Sequence, residues 1–71
     1  MKNIKNYLNN NNIKFEDKNT GSYSPYVKFM VDNKIYLVTD YNNQYVLETI
    51  NKELYFKAKT QKNIIERINE L

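Results

Sequence analysis

Seventy-one residues with a formal net charge of +3 and neither cysteine nor histidine make one small domain around a single core. The missing cysteines exclude disulfides and thiolate metal sites, and the missing histidines remove the commonest general base and metal ligand. A core of this size gives only a few kcal/mol, so stability must come from packing, to which self-association or a partner would add.

After Met1 the first residues are polar apart from Ile4, Tyr7 and Leu8. They lack the apolar centre of a signal peptide, and no run in the chain approaches the ~18–20 apolar residues that cross a bilayer. The expectation is a cytoplasmic protein of a bacterial cell with no membrane association. Ile4, Tyr7 and Leu8 share one face of a helix over residues 2–10. The Asn9–Asn12 run reads as its terminating loop, because asparagine tolerates the left-handed backbone region. Alternation in Ile13-Lys14-Phe15-Glu16 predicts a short edge strand over 13–16 with Ile13 and Phe15 inward. Residues 17–25 hold the only glycine, Gly21, and the only proline, Pro25, and read as a loop.

Four strands follow, over 26–31, 35–40, 44–50 and 53–58. Turn length decides which side chains share a face. Three-residue turns at Asp32-Asn33-Lys34 and Tyr41-Asn42-Asn43, with a two-residue turn at Asn51-Lys52, give the most apolar single face. That face is Val27, Phe29, Val31, Ile35, Leu37, Tyr45, Leu47, Leu54, Phe56 and Ala58. Lys28, Met30, Tyr36, Val38, Gln44, Val46, Glu48, Tyr55 and Lys57 then point the other way. After Lys59 the period becomes helical. Thr60 is the expected N-cap, and Ile64, Ile65, Ile68 and Leu71 form one stripe of a helix over 61–70. The fold class is α+β: an antiparallel four- to five-stranded meander with an N-terminal and a C-terminal helix packed on one face.

The residues offer little for catalysis. Ser22 and Ser24 flank Tyr23 with no base in sight, Glu16 and Asp17 are adjacent and diverge on a strand, and Glu53-Leu54-Tyr55 lacks the lysine of a nuclease-type Glu-x-Lys. A single glycine makes no phosphate cradle. The expectation is no enzyme, no cofactor and no metal.

The outward sheet face carries the functional reading. Tyr26, Tyr36 and Tyr55 with Lys28 and Lys57, and the loop residues Ser22 and Tyr23, are the expected partner contacts. Tyrosine and methionine are enriched at protein interfaces; aromatic plus basic residues on a sheet also suit single-stranded nucleic acid; and tyrosine is simply a good strand former. The charge pattern favours protein over nucleic acid and leaves the plain strand-former reading open: the excess is mild, acidic residues sit mid-chain, and Arg67 is the only arginine, whereas a nucleic-acid surface wants a dense basic stripe. A homodimer, through the outward faces or through the first or last strand, is a variant of the same reading.

Two resemblances bear on this. The helix–strands–helix order is similar to double-stranded-RNA-binding domains, which implies nucleic-acid binding as the alternative; Lys59 and Lys62 stand where that family has a lysine cluster, and its Lys-Lys-x-x-Ala pattern is absent. The bias towards Asn, Lys, Ile and Tyr reflects A/T-rich codons, which fits an AT-rich bacterium, its phage or a plasmid. In size, composition and architecture, without any motif, the chain resembles small inhibitor proteins of phages and mobile elements, the anti-CRISPR proteins among them. That resemblance implies a non-enzymatic module that masks a larger host protein, and the net positive charge argues against DNA mimicry.

Overall fold

A computed structural model describes residues 1–18 and 25–71. The elements are α1 (Lys2–Asn10), β1 (Phe15–Lys18), β2 (Tyr26–Val31), β3 (Lys34–Tyr41), β4 (Gln44–Thr49), β5 (Tyr55–Ala58) and α2 (Gln61–Asn69). The strands form a five-stranded antiparallel meander in chain order, so the α+β architecture expected from the sequence is the one observed. Expected contacts at Ser22 and Tyr23 lie outside the described residues.

Each helix is anchored by the chemistry of its ends. Asn12 takes the left-handed conformation with φ 58°. This lets the Ile13 N–H reach the Leu8 carbonyl at 2.8 Å and the Asn12 N–H reach that of Asn9 at 3.1 Å. The pattern is a Schellman stop with asparagine in the usual glycine position and Ile13 beside Leu8 as its apolar contact. It also explains why the first strand begins at Phe15 and not at Ile13: Ile13 is occupied in closing the helix. At α2 the Thr60 hydroxyl accepts from the Asn63 N–H at 3.2 Å, the expected cap. The two helices are tied together by the Ile4 N–H donating to Gln61 Oε1 at 3.1 Å and the Tyr7 hydroxyl donating to Asn69 Oδ1 at 3.0 Å.

The core lies between the helices and one face of the sheet. It comprises Ile4 and Leu8 of α1, Ile64 and Ile68 of α2, and Val27, Phe29, Tyr36, Val38 and Leu47 of the strands. Thr49 is the buried polar residue among those described; its hydroxyl is satisfied by the Leu54 N–H at 3.0 Å.

The facing of β3 corrects the expectation. Tyr36 and Val38 pair with Phe29 and Val27 and are buried under the helices, while Ile35 and Leu37 lie opposite Met30 and Lys28 on the other face. The cause is turn length. Both β3 hairpins close with two residues, Asp32-Asn33 and Asn42-Asn43, and all four have positive φ, from 50° to 66°. Positive φ at both central positions is type I′ geometry, whose twist matches the flanking strands. Each turn is one residue shorter than the three-residue alternative, so β3 alone is shifted by one and inverted. The two shifts cancel beyond it, and β4 and β5 keep their expected faces. The last hairpin has the expected register, with the Thr49 N–H donating to the Leu54 carbonyl at 3.2 Å. Its loop is longer than two residues, with Lys52 at φ 66° and β5 starting at Tyr55.

Candidate interaction surface

Among the described residues no helix crosses the second face of the sheet: Ile4, Leu8, Ile64 and Ile68 all pack against the first. The register lays the open face out in cross-strand rows. One row runs Lys18, Tyr26, Thr39, Val46 and Lys57 from β1 to β5; the next runs Glu16, Lys28, Leu37, Glu48 and Tyr55. A third holds Met30 and Ile35, continued by Ile50, whose N–H donates to the Ile35 carbonyl at 3.3 Å.

Aliphatic side chains thus fill the end row and reach the middle one at Leu37, which stands between Lys28 and Glu48. Met30, Ile50 and Tyr55 are each more than half exposed; Tyr26, Ile35 and Leu37 are half-buried. Val46, with Thr39 and Lys57 directly across from it, is only 7% exposed, so its neighbours on the face already cover the centre. Tyr55 is held from two sides: the Lys57 ammonium lies 5.5 Å and the Lys52 ammonium 5.9 Å from its ring centroid. Such contacts fix an exposed aromatic at about 0.5–1 kcal/mol each. Lys52 also pairs with Glu48.

Of the expected contact residues, Tyr26, Lys28, Tyr55 and Lys57 are brought together on this face. Tyr36 is not: it is 6% exposed and stacks on Phe29 at 5.6 Å between ring centroids, a core residue. Ile35, Leu37 and Ile50 belong to the surface and were assigned to it by no sequence pattern of alternation. The signal that finds the first two is turn chemistry, because Asp-Asn and Asn-Asn are among the few glycine-free dipeptides that accept two positive φ angles in succession.

The charges are interleaved, not pooled. Glu16 sits directly opposite Lys28, and Glu48 stands between Leu37 and Tyr55 in the same row. A phosphate backbone laid along this row would meet one lysine, Lys28, and two carboxylates. Lys59 and Lys62, at the start of α2, are exposed and lie outside the register of the open face. Among the described residues there is no group of three or more Asp or Glu side chains placed to hold a metal ion, and no helix is long and apolar enough to cross a membrane. Comparison of the chain with protein-family models, with curated proteins and with solved structures found no match.

Proposed function

We propose that the chain is a non-enzymatic protein-binding module whose open sheet face covers a functional surface of a larger host protein. In this reading it is an inhibitor encoded by a phage or mobile element, acting by occlusion on a host enzyme such as a CRISPR effector. The supporting observation is the open face itself: Met30, Ile35, Ile50 and Leu37 form an apolar patch at one end of it, Tyr55 stands on the edge strand beyond Glu48, and Lys18, Lys28, Lys57 and Glu16 lie alongside. An apolar patch bordered by charges of both signs is the anatomy of a protein interface. The same mixture of signs opposes the nucleic-acid alternative, since affinity for nucleic acid comes chiefly from neutralising phosphates.

Capture from a host lysate on the immobilised chain, with mass-spectrometric identification of what is retained, tests the proposal. Leu37→Ser and Tyr55→Ser should lose at least tenfold in recovery while keeping the far-ultraviolet circular dichroism of the parent. Recovery unchanged in both variants would remove the open face from consideration.

A further inference from the structure

Among the described residues no strand pairs with the outer side of β1 or of β5, and these two edges are unlike. The β1 edge carries three consecutive charges, Glu16, Asp17 and Lys18, with Asp17 drawn to Lys5 of α1 at 2.5 Å; short, charged edges resist further pairing. The β5 edge, Tyr55-Phe56-Lys57-Ala58, carries one charge.

Its free hydrogen-bonding groups follow from the ladder. The Thr49 N–H donates to the Leu54 carbonyl, so Thr49/Leu54 is a hydrogen-bonded pair. Hydrogen-bonded pairs recur at every second residue of an antiparallel ladder, which makes Leu47/Phe56 and Tyr45/Ala58 the next two. The backbone N–H and C=O groups of Tyr55 and Lys57 therefore point away from β4. Among the described residues no strand takes them.

We infer that β5 pairs antiparallel with β5 of a second copy of this chain about a two-fold axis centred on Phe56. In that register Tyr55 faces Lys57 of the other copy, and each such pair exchanges two backbone hydrogen bonds, using all the free groups of both residues. The side chains match as well. Tyr55 meets a lysine across the strand, as it already meets Lys57 of its own chain at 5.5 Å. Pairing centred on Lys57 would instead set two lysines face to face, which is destabilising.

The helix side of the edge is also self-complementary. Phe56 and Ala58 floor a groove of ≈ 450 Å³ whose wall is Asn63, Glu66, Arg67 and Glu70 of α2. These four are spaced i, i+3, i+4 and i+7, one stripe of the helix. Arg67 lies over the Phe56 ring at 5.9 Å and reaches Glu70 at 3.2 Å, whereas Glu66 has no ion-pair partner among the described residues. About the axis the second copy's Phe56 enters this groove, and its Arg67 approaches Glu66. A two-fold axis normal to the sheet keeps both open faces on the same side, so the pair presents one ten-stranded surface. The edge shares Tyr55 and Lys57 with the open face, so Leu37→Ser, two strands away on β3, separates the two: it should weaken capture of a host protein and leave the β5 association unchanged.

Sedimentation equilibrium across about 10 µM to about 1 mM reads the association, a range suited to an interface at the small end of specific contacts. The expected mass rises from 8.6 kDa towards twice that value. A mass that stays at 8.6 kDa throughout overturns the inference. Lys57→Pro removes an outward N–H and leaves the β4 ladder intact, and Tyr55→Lys sets like charges opposite each other. Both should weaken association at least tenfold, and an undiminished dimer in the folded variants would place the contact elsewhere. The register has its own test, because the chain has no cysteine. Non-hydrogen-bonded pairs come within disulfide reach, so Phe56→Cys should cross-link on mild oxidation at least ten times faster than Tyr55→Cys. The reverse order would overturn the register.

Discussion

At the scale of single residues, two tyrosines of the same strand-forming kind have opposite duties. Tyr36 is 6% exposed and stacked on Phe29; Tyr55 is 55% exposed and held only by two lysines. Truncating a buried aromatic removes its transfer free energy and leaves a cavity, so Tyr36→Ala should cost about 3–5 kcal/mol, most of what a domain this small possesses. Tyr55→Ser should cost about 1–2 kcal/mol, the two cation–π contacts it removes. Urea unfolding followed by circular dichroism separates them; equal midpoints for the two variants would contradict the facing of β3. The asparagines are as specific in their work. Asn12, Asn33, Asn42 and Asn43 all have φ between 54° and 66°, in a chain with one glycine. Asn43→Val should lose about 1–2 kcal/mol, because a branched Cβ crowds the backbone in that region, while Asn43→Gly should match or exceed the parent in midpoint.

Elements were legible to the degree that they depend on local chemistry. The period of Ile4 and Leu8, the Thr60 cap and the Ile64/Ile68 stripe located both helices, and alternation located β2 to β5 to within two residues at each end. Alternation alone misplaced β3. Its sequence, Lys34-Ile35-Tyr36-Leu37-Val38-Thr39, is apolar on both sides, so either facing buries a plausible pair, and the buried pair is Tyr36 and Val38, not the more aliphatic Ile35 and Leu37. The decision belongs to the turns, where Asp32-Asn33 and Asn42-Asn43 supply the successive positive φ angles of type I′ hairpins. For the same reason Tyr26, Lys28, Tyr55 and Lys57 were legible as surface, and Ile35 and Leu37 were not. The dependence on turn chemistry is open to test. Asn33→Val and Asn42→Val each put a branched Cβ at a positive-φ position of one β3 hairpin, at about 1–2 kcal/mol per position, so the double variant should have a lower urea midpoint than either single one. Glycine at the same two positions should leave the midpoint at or above that of the parent, and a double valine variant with the parent's midpoint would contradict the role of the turns.

For the molecule as a whole, net charge and charge placement give different expectations, and the placement governs. A net charge of +3 on 71 residues draws the chain weakly towards any polyanion. Of the lysines on the open face, Lys18 and Lys57 stand at opposite edges of one row, and Lys28 shares the next with Glu16 and Glu48. A bound strand therefore neutralises few phosphates, and the slope of log affinity against log salt, about −0.9 per phosphate contact on duplex DNA, should be shallow, at about −2 or less in magnitude. Fluorescence anisotropy with a labelled 20-nucleotide single strand and the matching duplex, at several salt concentrations between about 50 and 200 mM, measures it. Glu16→Gln and Glu48→Gln together should strengthen that binding several-fold by removing the carboxylates that share a row with Lys28, while leaving the apolar patch intact for a protein partner. A steep slope in the parent chain, or micromolar duplex affinity unaltered by the two substitutions, would move the functional surface to the α2 end, where Lys59 and Lys62 are exposed, and favour the nucleic-acid alternative over a masking module.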